Sequence, residues 1–528
     1  MAFGFRGRAE LTARADEPAA PTARDGRWVL AATIIASSMG FLDSTVVNVA
    51  LPVLQRDLGA DITQSQWVVE GYILFMASLI MVGGALGDRH GRRRIFNLGI
   101  AIFAVASLLC GLAMTPLQLN LARAVQGIGA ALMIPGSLAL ISACFPESRR
   151  GRAIGTWSAA TAITVSLGPV FGGWAVDALS WRWIFFINPP LAILALAISH
   201  WRVPESRAEC QPPDWTGAAL GTLALAAITF GLLDSVRLGF GHPLVWGALL
   251  LGLLAAVAFL WVEAVSQAPM LPLDLFRSAT FSGVNALTFT LYAGLQGSLF
   301  FLPFNLIQVQ GYSAFAAGAA MLPFVAMISL LSRWAGGLVD RFGPRPPLVT
   351  GTLITALGFA LFALPGIGGS YWTGYFPAAL VLGLGMGVCV APVTTVALNA
   401  AGPDRAGVAS AINNTVARVG GLIAVALFGI VLAAFFNQAL DAGLAAIAPP
   451  PDVLSALDAE RIRLAAAELP AGLDPDLANA LRNAINEAFI NGFRAVMVLS
   501  TLLAAGSALI AWMSLDRQGA CDIRAGRA

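Results

Sequence analysis

The sequence predicts an all-α polytopic membrane protein with 14 transmembrane helices, and three observations carry that expectation. Of its 528 residues, 58% are hydrophobic and only 11% are charged; mean hydropathy is +0.77, far from soluble globular usage. About fourteen apolar runs reach the ~20 residues needed to cross a ~30 Å hydrocarbon core. A polar stretch at 84–94, GALGDRHGRRR, lies between two of these runs, and a weaker copy, GGLVDRFGPR, recurs at 336–345. The repeat points to a chain built from two related halves.

Taken in order, the runs are 28–50, 66–87, 95–114, 117–140, 152–175, 183–201, 215–233, 244–263, 279–302, 314–335, 348–366, 373–396, 406–435 and 488–514. The first follows a tail bearing Arg6, Arg8, Arg14, Arg24 and Arg27, like the positive region of a signal peptide. Thirteen further spans, and an acid inside the first, argue for an uncleaved anchor. Basic clusters at Arg89/Arg92/Arg93/Arg94, Arg149/Arg150/Arg152, Arg202/Arg207, Arg341/Arg345 and Arg517/Arg524/Arg527 all fall on one side of an alternating topology. The positive-inside rule makes that side cytoplasmic, with both termini on it. The longest opposite-side loop, 436–487, holds eight acids against three arginines, a net charge of −5. Apolar residues at helical spacing between its prolines predict a small helical extracytoplasmic cap.

Several chemistries are excluded. Lysine is absent, so all 31 basic residues are arginine. No Walker A phosphate loop and no Schiff-base lysine can exist, which argues against ATP-driven pumping by this chain. Cys110 and Cys389 lie within spans, whereas Cys144, Cys210 and Cys521 fall on the reducing side, so no disulfide is expected. His90, His200 and His242 are scattered without metal-ligand spacing. Neither a metal, a cofactor nor a nucleic acid partner is expected, and nothing resembles an enzyme's nucleophile and base. Abundant Ala and Gly fit a GC-rich bacterial genome.

Charges inside spans are expensive and functional by default. Asp43 in the first span, Glu70 in the second and Arg123 in the fourth all fall within ~12 Å of the outer surface at 1.5 Å rise per residue. They can share one layer as a carboxylate–guanidinium cluster. Proton coupling needs a carboxyl that moves between desolvation, which favours its neutral form, and a nearby arginine, which favours its charged form. The competing reading is a static Asp43–Arg123 pair that holds helices together, with Glu70 reaching water at its helix edge.

Glu70 and Asp88 are 18 residues apart, five helical turns, so they share a face at opposite ends. Asp88 with Arg89, Arg92 and Arg93 is expected to form a latch of charge pairs between neighbouring helices; a basic anchor is the plainer alternative. The second copy keeps Asp340 and Arg341 but has Pro344 where the first has Arg92, which predicts a weaker latch. The fifth span carries GPVFGG, with Gly168, Pro169, Gly172 and Gly173; upstream, Gly151, Gly155, Ala159, Ala162 and Ser166 share a face. Small residues permit close helix approach, and Pro169 removes a backbone hydrogen bond. In the ninth span Asn285, Phe289, Tyr292, Gln296 and Phe300 form one stripe, suited to a drug-sized ligand or to ordinary packing. Arg418, near Asn413 and Asn414 in the thirteenth span, is a candidate for the substrate cavity with a structural role as the alternative, and Ser180-Trp181-Arg182-Trp183 fits an interfacial aromatic belt.

With these residues quoted, the chain resembles the major facilitator superfamily, whose signature loop (Gly84, Gly87, Asp88, Arg89, Gly91 and Arg92 here) lies between helices two and three. Asp88 and Asp340 are 252 residues apart, more than a plain six-plus-six arrangement needs. The surplus is spans seven and eight, as in the family's fourteen-helix drug:proton antiporter branch. The resemblance implies two six-helix bundles plus an inserted helix pair. The tail is 1–27, the first bundle 28–202, and the hairpin with its linker 203–264. The second bundle's first five helices occupy 265–435; 436–487 is the outer loop, 488–514 the last helix and 515–528 a cytoplasmic tail.

The same resemblance assigns proton coupling to the Asp43 segment and matches Arg123 and Gly127 to the helix-four motif. It makes Gly168-Pro169-Val170-Phe171-Gly172-Gly173 the antiporter motif characteristic of exporters. Glu70-Gly71 and Asn188-Pro189-Pro190 depart from the usual family forms, and the extra acid at Glu70 points to cationic cargo. The implied function is drug:proton antiport in the bacterial inner membrane, by a monomer whose partners are a small-molecule substrate, protons and the lipid bilayer. The alternative is a same-fold exporter of an endogenous metabolite or lipid-like compound. A non-transporting membrane sensor would be expected to carry an appended soluble domain.

Overall fold

The computed structural model describes residues 23–207, 214–266, 269–402 and 405–515, and every regular element among them is helical. The Arg6, Arg8 and Arg14 tail, Cys210, Cys521 and the Arg517, Arg524 and Arg527 cluster lie outside the described residues. Fourteen helices are long and apolar enough to cross a bilayer. The first six are α1 (Gly26–Asp57), α2 (Ile62–His90), α3 (Arg92–Leu112), α4 (Pro116–Cys144), α5 (Arg149–Ala178) and α6 (Trp183–Arg202). An inserted pair follows, α7 (Trp215–Leu238) and α8 (Pro243–Val265). The last six are α9 (Ala279–Val309), α10 (Ala314–Ser332), α11 (Arg345–Phe362), α12 (Tyr371–Ala401), α13 (Gly407–Ile447) and α14 (Pro475–Ser514). An even number of spans puts both described ends on one face, here the terminal face. The opposite face carries the helix Pro451–Glu460 and is the cap face.

Local chemistry sets the helix starts. Asp61 accepts from the Gln64 amide at 2.7 Å while the Gln64 side chain accepts from the Asp61 amide at 3.1 Å, a reciprocal cap on α2. Thr115 with Pro116 opens α4, and Asp214 caps α7.

Helix contact relies on glycine, because in lipid the gain comes from close packing rather than from escape from water. A Cβ on Gly83 of α2 would stand 2.1 Å from the Ala131 carbonyl oxygen of α4, and one on Gly129 of α4 2.6 Å from the Phe103 nitrogen of α3. These backbones touch directly. The inserted pair packs on itself, and α7 lies against α2 and α13 at the side of the molecule. Thr63 of α2 donates to the Leu233 carbonyl of α7 at 3.3 Å.

The halves meet toward the cap face. Gln308 of α9 donates to the Gln55 side chain of α1 at 2.9 Å. Asp177 of α5 accepts the Ala314 and Phe315 amides of α10 at 3.1 and 2.8 Å. Gln66 of α2 donates to the Val425 carbonyl of α13 at 2.7 Å. Arg418 of α13 reaches Met76 of α2 at 3.9 Å near mid-helix; at the terminal end of α5, nothing lies within 4 Å of a Cβ added to Gly151 or Gly155.

Some boundaries differ from the sequence expectation. The segment 436–487 is only in part a loop: α13 runs on to Ile447 and α14 starts at Pro475, leaving the short Pro451–Glu460 helix between. Hydropathy registers only the bilayer-thick part of a helix, so polar extensions read as loop. The polar stretch 84–94 is likewise mostly helical. Only Gly91, at φ 114°, breaks it.

Candidate functional site

The first half holds a buried polar cluster built on five helices. Asp43 of α1 and Arg123 of α4 form an ion pair with side chains 0% and 1% exposed. The Arg123 guanidinium also donates to the Gln126 side-chain oxygen at 2.8 Å, and its Nε donates to the Val68 carbonyl at 2.8 Å. Gln126 returns a hydrogen bond from its amide to Asp43 Oδ1 at 2.9 Å. Asn188, at the start of the longer segment of α6, donates to Ser107 Oγ of α3 at 2.9 Å and reaches Asp43 Oδ1 at 3.5 Å. The Tyr72 ring of α2 lies 4.4 Å from the guanidinium carbon, and its hydroxyl donates to the Gly40 carbonyl at 3.1 Å.

Helical geometry explains the grouping. Arg123 and Gln126 are three residues apart and project from one face of α4. Glycine 127 lets α4 approach α2, since a Cβ there would stand 2.4 Å from the Tyr72 carbonyl oxygen. Closed off from water, each charge has its partner, the condition under which a buried pair is tolerated.

Glu70 lies outside this cluster. It is 0% exposed, and neither carboxyl oxygen has a hydrogen-bond partner among the described residues. Helix α2 begins at Ile62, so Glu70 sits two turns inside it rather than at an edge. Gln66, one turn before Glu70, bonds to α13, which places this face of α2 toward the second half.

The signature segment is held within itself and by the stretch that follows α6. Arg92 Nε donates to Asp88 Oδ1 at 2.6 Å. Glu205, beyond α6, accepts the Arg93 and Arg94 amides at 2.9 and 3.2 Å and lies against Gly91. Sequence reasoning missed Glu205, because only the fold brings it 112 residues back to the α2–α3 turn. Gly84 faces Pro135 of α4 and Gly87 faces Arg92. In the second copy Asp340 and Arg341 are exposed, without an ion pair among the described residues, and Arg341 lies over the Phe342 ring.

The GPVFGG stretch occupies two seams. Cβ atoms on Gly168 and Gly172 would press on Thr45 and Val46 of α1. One on Gly173 would stand 2.3 Å from the Ala314 carbonyl oxygen of α10, and Gly318 of α10 meets the Pro169 carbonyl in the same way. The motif therefore forms part of the contact between the halves.

Along α9, Asn285 accepts from Asn413 of α13 at 3.2 Å, and Gln296 donates to the Ala417 carbonyl of α13 at 3.1 Å. These amides bind the neighbouring helix. Phe289 lines a cavity of about 310 Å3 between α2, α7, α8, α9 and α13, while Phe300 is buried and Tyr292 half-buried. Arg418 reaches across to the Met76 sulfur at 3.9 Å and has no carboxylate partner among the described residues. Of the aromatic belt, Trp183 is exposed, but Trp181 is buried and donates to Asp57 at 3.0 Å; Arg182 ties down the end of α3 through the Gly111 and Ala113 carbonyls.

Comparison with known proteins agrees with this architecture. A multidrug resistance protein, Stp, of Mycobacterium tuberculosis is 35% identical over 79% of this chain and 79% of its own. A tetracenomycin C resistance and export protein of Streptomyces glaucescens is 32% identical over 91% of this chain and 89% of its own. The crystal structure of a bacterial homolog of the human lysosomal transporter Spinster, inward-facing and unoccupied, superposes with a TM-score of 0.67. It covers 94% of this chain and 99% of its own at 19% identity, a likeness of fold. The Major Facilitator Superfamily model matches residues 33–425, and this multi-pass chain belongs to that family of membrane transporters rather than to any class of enzyme.

Proposed function

We propose that the chain is a proton-coupled exporter of hydrophobic, in part cationic, small molecules, working by alternating access in the bacterial inner membrane. The observation that carries this is the buried Asp43–Arg123–Gln126–Asn188 cluster, which supplies a carboxyl able to trade a proton for its arginine partner. The resistance and export functions named for Stp and for the tetracenomycin C protein support export as the direction. In this reading the terminal face is cytoplasmic, so the molecule is closed outside and parted inside. Cargo enters between the halves from the cytoplasm, and rocking of one half against the other exposes it outside.

Protonation of Asp43 from outside frees Arg123 and favours return to the inward-facing arrangement. Glu70 supplies a second acid on the face of α2 toward the second half. The segment at Asp88 and Arg92 acts as a gate on the cytoplasmic side, and the glycine seam at Gly173 and Gly318 is the contact that must part outside. One proton moving down 100 mV supplies ~2.3 kcal/mol, roughly 50-fold in concentration. A monovalent cation exported for one proton gains nothing from the voltage, so two acids suit charged cargo.

The test is a toxicity panel in an efflux-deficient bacterium with the wild type and Asp43→Asn at matched membrane expression. Protection by the wild type alone supports export that depends on this carboxyl. Equal protection by both removes Asp43 from the mechanism, and no protection by either points to an endogenous metabolite.

A further inference from the structure

Glu70 and Arg418 are both charges inside spans without an oppositely charged partner among the described residues, yet they differ in access. Glu70 is sealed in the protein. Arg418 of α13 is half-buried, and its guanidinium is engaged at Nη1 alone, by the Met76 sulfur at 3.9 Å. Its Nε and Nη2 make no hydrogen bond among the described residues, and neither is closed off from water. That free side-on edge, with two N–H groups pointing the same way, is the one that receives a carboxylate through two parallel hydrogen bonds.

The position is central. Met76 is the middle residue of α2, which runs from Ile62 to His90, about 21 Å from either end at the helical rise. Helix α2 belongs to the first half and α13 to the second, so the guanidinium reaches across the line between them. A thioether is a weak acceptor and returns little to a full positive charge. The Asp43 carboxylate is already committed to Arg123 and Gln126. An unpaired arginine at this depth is costly, and the cost falls when an anion enters beside it. Ile73 and Ile80 flank Met76 on one face of α2 and are half-buried, which gives the rest of such a molecule an apolar wall. Asn414, one turn from Arg418 toward the terminal face, is exposed on the same side of α13.

We propose that Arg418 receives the carboxylate of a lipophilic organic acid at mid-membrane, between the halves, on its Nε and Nη2 edge. A phospholipid phosphate rides at the bilayer surface, so the anion suited to this depth belongs to a molecule that enters whole. The proposal adds an anionic class to the cargo of the export reading and rests on that reading only for the direction of movement. An acid carried out against a proton carried in moves two charges favourably across an inside-negative membrane, where a neutral compound moves one.

The test uses the full chain in phosphatidylcholine nanodiscs at neutral pH. Tritiated 2-naphthaleneacetic acid is the probe, the neutral 2-naphthaleneethanol is the control, and empty nanodiscs are the blank. Scintillation proximity reads binding at equilibrium. The wild type should bind the acid about tenfold more tightly than the alcohol. Arg418→Gln should weaken the acid about tenfold or more and leave the alcohol unchanged, as expected for loss of a charge-assisted pair. Arg418→Lys keeps the charge without the side-on edge, so its affinity for the acid should fall between the two. No preference of the wild type for the acid, or wild-type affinity for the acid in Arg418→Gln, overturns the site. If Arg418→Gln binds neither ligand, Arg418→Lys decides: a weakened acid with the alcohol retained supports the site, and an unchanged acid overturns the side-on seat. No gradient enters this readout. Lost acid preference with intact export therefore overturns the site alone, and intact acid preference without export overturns the export reading alone.

Discussion

Asp43 and Arg123, 80 residues apart in sequence, meet as an ion pair between α1 and α4 from which water is excluded on every side. Each depends on the other. Removing one partner of such a pair leaves an uncompensated buried charge, at a typical cost of about 3–5 kcal/mol.

Asp43→Asn should therefore lower thermal stability as well as abolish proton-coupled export, while the charge-neutral double variant Asp43→Asn/Arg123→Gln should regain stability without regaining export. Scanning fluorimetry of the purified proteins, alongside a pH-sensitive dye inside proteoliposomes, separates the two effects. Restored dye response in the double variant would show that the pair is only structural.

Glu70→Gln should leave stability unchanged or raise it by about 1–3 kcal/mol, because a buried carboxyl with neither oxygen paired is a burden to the fold. On the proposed role it should retain export of neutral compounds and lose export of cations. Efflux of matched neutral and cationic dyes from loaded cells measures this, and equal loss for both would remove the charge argument.

Gly173→Ala should block transport without unfolding the protein. The added methyl would meet the Ala314 carbonyl oxygen at 2.3 Å, a backbone atom that can yield only if α5 and α10 part. The variant should favour an arrangement opened at the cap face. Cysteines placed at that end of α5 would then react faster with a membrane-impermeant maleimide; unchanged reactivity would count against this seam as a moving contact.

Glu205→Ala should impair transport at normal membrane abundance, since Glu205 accepts two backbone amides at the start of α3. Gly91→Ala should be worse, because φ is 114° and Glu205 lies 2.8 Å from the new methyl. Uptake of a lipophilic cation into inverted vesicles ranks the two. Wild-type rates in Glu205→Ala would reduce the latch to a local helix cap.

Much of this protein was legible in the sequence because the bilayer imposes a coarse, local code. Twenty apolar residues make a span whatever its neighbours, so 14 spans and the inserted pair could be read directly. Asp43 and Arg123 stood out for a related reason, since a charge inside a span must find a partner. Which partner it finds is a tertiary fact. Gln126, Asn188 and Ser107 are ordinary polar residues in sequence, and only the packing of α1, α3, α4 and α6 brings them to one carboxylate.

The same limit kept Glu70 apart from that cluster, because depth along a helix does not state which face it presents. It also turned the α9 amides toward α13 and placed Glu205 at the α2–α3 turn. The sequence alone determined the number of spans and the charges within them, through hydropathy summed over a local window. The tertiary structure decided which charges meet, because hydrogen bonds and helix seams depend on distances of a few ångströms between residues the chain order holds far apart.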